Sequence, residues 1–101
     1  MNMEERNLGL EKFFEKGLDT LRKKGADYNP NGVAFDEVKT EASCLGLSPE
    51  TYICVLMSKH WGAIKRFCKD GEVTSEPAAE RLMDLSNYCA LMSVMLLECK
   101  K

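Results

Sequence analysis

Two pairs of carboxylates offer the plainest chemistry in this sequence. Glu80 and Asp84 stand one helical turn apart with Asn87 at the next turn, and Glu37 and Glu41 repeat the same spacing earlier in the chain. Groups at i and i+4 share a helix face, so each pair costs an isolated helix a few tenths of a kcal/mol. Burying one of these carboxylates unpaired would cost far more. A divalent cation, an ammonium or guanidinium group, or solvent must therefore compensate them. Two facing helices that each carry such a pair are a common way for helical bundles to hold a divalent metal. Glu37, Glu41, Glu80 and Asp84 are accordingly the candidate metal ligands, provided that the second and fourth helices bring them to a common cavity.

Around these acids stand groups suited to a base or a phosphate. Lys59, His60, Asp27, Tyr28, Asn87 and Tyr88 are the candidate ligand contacts, with Trp61 and Arg66 as further aromatic and cationic surface. His60, the sole histidine, falls within an apolar helical face, where a core histidine is the preferred reading and a ligand or acid–base role the alternative. No cysteine or serine lies at the spacing of a recognisable nucleophile motif. Arg22-Lys23-Lys24 reads as a helix end before it reads as a phosphate site, because cations offset the negative end of the helix dipole.

The elements that must position these groups are helices. Leu10, Phe13, Phe14, Gly17, Leu18 and Leu21 predict an amphipathic helix over about 7–24, closed by Gly25. The turn formers of Ala26-Asp27-Tyr28-Asn29-Pro30-Asn31-Gly32 predict a loop. A second helix over 33–45 turns Phe35, Val38, Ala42 and Leu45 inward and stops at Gly46. Ser48-Pro49-Glu50 starts a third over 49–69, whose inward stripe is Ile53, Leu56, Met57, His60, Ile64 and Phe67 and whose end is Asp70-Gly71.

Ser75-Glu76-Pro77 starts a fourth helix over 76–99 by the same cap logic. Leu82, Leu85, Cys89, Met92 and Leu96 form one stripe of it, and Leu91, Val94 and Met95 cover the opposite side. The short link Glu72-Val73-Thr74 makes the last two helices antiparallel neighbours. No stretch alternates with a period of two, so the expected fold is all-α, a four-helix bundle-like unit in a single domain over 1–101. More apolar surface than one such unit can cover predicts a homodimer or higher oligomer.

Composition excludes several classes. With 101 residues and 45% hydrophobic content the chain can form one modest core. A net charge of −2 and a pI near 5.4 provide no basic field for nucleic acid, which is not an expected partner. The five cysteines form no CxxC pair and are expected to be reduced thiols packing as small apolar residues. The N-terminus is charged without an apolar h-region, and no run is long enough to span a bilayer. The expected location is cytoplasmic.

Lys24-Gly25-Ala26-Asp27-Tyr28, Phe35, Lys59-His60 and Glu80-Arg81-Leu82-Met83-Asp84-Leu85-Ser86-Asn87-Tyr88 together resemble a set of small phage-encoded helical proteins. Those look related in turn to the MazG-type all-α nucleoside triphosphate pyrophosphatases. The resemblance runs from about Lys24 to Glu98 and rests on few residues. It implies a cytoplasmic protein of the infected bacterial host and an oligomeric four-helix unit. It also implies Mg²⁺ held by Glu37 with Glu41 and by Glu80 with Asp84, and cleavage of a nucleoside triphosphate between its α- and β-phosphates. The chain departs from the family pattern in spacing, since both acid pairs are one residue wider than the ExxE and ExxD motifs.

Three functions follow as expectations. One is Mg²⁺-dependent pyrophosphohydrolysis of NTPs or dNTPs. A second is non-catalytic binding of a nucleotide or nucleotide-derived signal, a sponge that would blunt a host defence. The third is a purely structural helical oligomer.

Overall fold

In a computed structural model the described residues, 1–71 and 77–98, form four helices and no strand. These are α1 (Met3–Tyr28), α2 (Asp36–Cys44), α3 (Pro49–Asp70) and α4 (Ala78–Glu98). The fold is all-α, and among the described residues no helix is long and apolar enough to cross a membrane. The expected cap at Ser75 and Glu76, the link at 72–74 and Cys99 lie outside the described residues.

α3 and α4 make the main helix pair, α2 packs on α3, and α1 packs on α4. Ile53 meets Met95 in the core, whereas His60, farther along α3, meets Arg81, Asp84 and Tyr88, earlier in α4. The pair is therefore antiparallel. Phe35, Ile53 and Met95 are the centre of the apolar cluster, and Val38, Met57, Tyr88, Leu91 and Met92 pack against them.

The capping groups explain the boundaries. Ser48 Oγ accepts the Thr51 N–H at 3.2 Å ahead of Pro49, and Gly71, left-handed at φ 80°, donates its N–H to the Phe67 carbonyl at 2.8 Å. α2 closes in a Schellman motif: left-handed Gly46 donates to Ser43 O at 3.1 Å and Leu47 to Ala42 O at 2.9 Å.

α1 departs from expectation at both ends. It begins at Met3, capped by Asn2 Oδ1, which accepts the Glu5 N–H at 2.8 Å. It also continues through Gly25 to Tyr28, so Ala26, Asp27 and Tyr28 are helical rather than loop. One glycine does not end a helix when the following residues can continue it. The stop comes at Asn29, which the following Pro30 excludes from helical geometry.

Asn29 also joins two elements. Its Nδ2 donates to the Gly25 carbonyl at 3.3 Å, and its Oδ1 accepts the Glu37 N–H at 3.1 Å. The second bond caps α2, whose own first flanking residue, Phe35, provides no side-chain cap. Phe35 sits in the left-handed region at φ 63°, a conformation that costs a bulky residue about 1–3 kcal/mol. Burial of its ring in the apolar cluster opposes that cost.

Several expected core positions are on the surface. Leu10, Phe14 and Leu18 of α1, Leu45 after α2, Phe67 of α3, and Leu82 and Leu96 of α4 are exposed. On α4 the inward side is instead the one bearing Asp84, Tyr88, Leu91 and Met95, with Met95 only 2% exposed. α4 is apolar nearly all round in its second half, so periodicity could not choose its buried side. Cys44, Cys54, Cys68 and Cys89, expected to pack as small apolar residues, are exposed instead.

Candidate functional site

The end of α1, the loop after it, α2, the first turns of α3 and the middle of α4 enclose a cavity of about 580 Å³. α1 contributes Leu21, Lys24 and Tyr28, the loop Asn29, Val33 and Phe35, and α2 Glu37 and Val38. α3 adds Tyr52 and Leu56, and α4 adds Asp84, Asn87, Tyr88 and Leu91. The wall is thus mainly aromatic and aliphatic, with two carboxylates, two amides and one ammonium. Small-molecule sites commonly have this make-up, at volumes of roughly 300–1,000 Å³.

Two carboxylates line the cavity, Glu37 from α2 and Asp84 from α4. Glu37 lies in the first turn of α2, where the positive end of the helix dipole favours its charge. Asn29 fixes its backbone. Asp84 is half-buried, and its Oδ2 lies 3.8 Å from His60 Nδ1, beyond hydrogen-bond reach. That nitrogen is instead 3.2 Å from Arg81 Nη1. A guanidinium can only donate, so Nδ1 is the acceptor in this contact. His60 is 5% exposed and its ring stacks on Tyr88 with centroids 5.6 Å apart. It forms the backing of the cavity rather than its lining.

Tyr88 connects these groups. Burial holds its phenol above the ordinary value of 10.0, and the negative charge of Asp84, then Tyr52, Tyr28 and Glu37, acts in the same direction. The hydroxyl therefore stays protonated, a donor at neutral pH, and lies within the electrostatic reach of both carboxylates. Beside the cavity α1 approaches α4 closely at Gly17, where a methyl group would lie 3.0 Å from Asn87 Oδ1 and 3.0 Å from Met83 Sδ. Asn87 is thus held in the cavity wall by the absence of a side chain on α1.

Of the candidate residues, the fold brings Glu37, Asp84, Tyr28, Asn87 and Tyr88 to one cavity. It does not bring Glu41, Glu80, Asp27 or Lys59, which are exposed and outside the lining. Trp61 and Arg66 are likewise exposed elsewhere. In each carboxylate pair only one member, Glu37 or Asp84, lines the cavity, and the other is exposed. Among the described residues no group of three or more His, Cys, Asp and Glu side chains could hold a metal by itself.

Sequence reasoning missed Lys24, Asn29, Phe35, Tyr52 and Leu56 as cavity-lining residues. Lys24 was hidden in a basic run that reads as a helix end. Tyr52 lies beside the apolar stripe of α3, which offers a weak signal at best.

Comparisons of the chain with protein-family models, with curated proteins and with solved structures find no match.

Proposed function

We propose that the cavity binds a nucleotide or a small molecule derived from one. The observation that supports this reading is that Glu37 from α2 and Asp84 from α4 line one cavity together with Tyr28, Tyr52 and Tyr88. Tyrosine faces suit a nucleobase, because stacking on an aromatic ring is worth about 1–3 kcal/mol per base. Asn87 and the Tyr88 hydroxyl offer polar contacts at fixed positions, and Lys24 is the cation of the lining.

Mg²⁺ fits this reading as a companion of the ligand. It is usually held by one or two carboxylates, with phosphate oxygens and water completing its shell. Glu37 and Asp84 would be those carboxylates, and the ion would neutralise phosphate charge beside them. In the MazG-type reading the same arrangement would serve pyrophosphohydrolysis of NTPs or dNTPs by an oligomer. A second reading, binding without turnover as a nucleotide-signal sponge, is favoured by the position of Glu41 and Glu80 outside the lining, which leaves half of the acids that the resemblance assigns to the metal.

Calorimetry with NTPs, dNTPs, cyclic dinucleotides and ADP-ribose in the presence of Mg²⁺, paired with an assay for released pyrophosphate, tests both. The expected result is binding by at least one of these ligands that weakens about tenfold to a hundredfold in Asp84→Asn, the loss of one charge-assisted contact. Turnover abolished by Glu37→Gln and Asp84→Asn selects the hydrolase, and binding without turnover selects the sponge. Silence across the whole panel rejects the nucleotide reading and favours a structural helical oligomer.

A further inference from the structure

We propose that Asp84 reads the base of the nucleotide and that the cavity thereby selects guanine. This inference rests on the nucleotide reading and names the edge of the ligand that is recognised. The observation that carries it is an acceptor without a donor. Asp84 lines the cavity with its side chain 26% exposed, and among the described residues no donor lies within hydrogen-bond distance of its carboxylate. His60 Nδ1, 3.8 Å away, is out of reach and is itself the acceptor from Arg81 Nη1 at 3.2 Å. A partly buried carboxylate left in this way is costly, so a bound group that supplies N–H donors to it is stabilised.

Asp84 also stands beside an aromatic ring on which a base can stack. Tyr88 follows it by one helical turn, so the two share the side of α4 that lines the cavity. The Tyr88 ring is backed by His60 of α3 at 5.6 Å, and α3 with α4 is the main helix pair. An acceptor that discriminates between bases must be held in place in this way. Glu37 has the longer side chain and sits on the nine-residue α2. It suits Mg²⁺, which needs only one carboxylate beside phosphate oxygens and water. Of the two carboxylates the ion then keeps Glu37, and Lys24 serves the phosphates.

The chemistry of the bases supplies the choice. A carboxylate only accepts, through two oxygens, and pairs best with two parallel N–H donors. Guanine alone among the common bases sets a ring N–H beside an exocyclic amino group. Adenine and cytosine set their amino group beside a ring nitrogen that only accepts, which would face the second carboxylate oxygen. Uracil and thymine offer one N–H between two carbonyls. Each of these four puts an acceptor against an acceptor at Asp84, and guanine does not.

Calorimetry of the full chain with GTP, ITP, ATP and UTP in the presence of Mg²⁺ tests this. GTP is expected to bind at least about tenfold more tightly than ITP, which lacks the exocyclic amino group, and to exceed ATP and UTP by a similar or larger factor. In Asp84→Asn the amide presents one donor and one acceptor, the complement of the carbonyl and ring N–H of xanthine. Preference is therefore expected to pass from GTP to XTP in that variant. If Asp84 only held the metal, its loss would weaken every nucleotide alike. Circular dichroism checks that the variant folds, and the wild-type panel decides by itself should it not. Equal affinities across the wild-type panel, or a uniform loss in Asp84→Asn, overturn the inference and leave the nucleotide reading standing. Silence toward every nucleotide overturns both.

Discussion

α3 and α1 carry the same kind of apolar stripe and meet different fates. On α3, Ile53, His60, Ala63 and Ile64 are buried against α2 and α4, and Ile53 has no exposed surface. On α1, a longer helix, Leu10, Phe14 and Leu18 stay in solvent. Amphipathic patterning makes both segments helical, but the number of neighbours decides which stripe becomes core. Among the described residues α3 packs extensively on two helices of its own chain, whereas α1 packs mainly on one. The site sits where these two regimes meet, with Asp84 and Tyr88 backed by the rigid α3–α4 pair and Lys24 and Tyr28 carried by the less supported helix.

The contrast can be broken most forcefully from the α3 side. Ile53→Ala is expected to cost about 2–5 kcal/mol in denaturant unfolding, and by the same amount at every protein concentration, because its partners are intramolecular. Phe14→Ala is expected to change stability by no more than about 0.5 kcal/mol, because its ring is 64% exposed. A loss at Phe14 as large as that at Ile53 would place its ring in a core instead.

A smaller effect tests the seam between α1 and α4. Gly17→Ala gains helix propensity but presses on Asn87 and Met83, and the net expected cost is about 1 kcal/mol by chemical denaturation. Because Asn87 lines the cavity, ligand binding should suffer more than stability does. A variant at least as stable as wild type with unchanged ligand affinity would show that the close approach is not needed.

The smallest expected effect is at Tyr88. Its folded pKa lies above 10.0, so the folded state holds the phenolic proton more tightly than the unfolded chain. That contribution to stability is fully present below pH 10 and is lost as pH rises through the folded value. Wild type should therefore lose stability above pH 10 more steeply than Tyr88→Phe, which keeps the ring against His60 and removes the titrating group. Parallel pH profiles for the two proteins would argue that the hydroxyl is not buried as described.

Much of the site was legible, though not as a set. Glu37, Asp84, Tyr28, Asn87 and Tyr88 stand out by residue type and spacing and do meet at one cavity. The i, i+4 rule, however, treats Glu37 with Glu41, and Glu80 with Asp84, as equals. It specifies a shared helix face and leaves open which edge of that face meets a neighbour. Asn29 was legible as a turn former, yet its bond to the backbone of Glu37, eight residues on, depends on the path of the loop between them.

The sequence by itself determined four helices and several of their ends, because caps such as Ser48 and Gly71 and the period of the apolar residues act over one or two turns. Tertiary structure decided which side of α4 is buried and that Leu10, Phe14 and Leu18 remain bare. Those outcomes depend on which helices lie beside which. That is a competition for apolar surface among distant segments, and no local pattern of residues encodes its result.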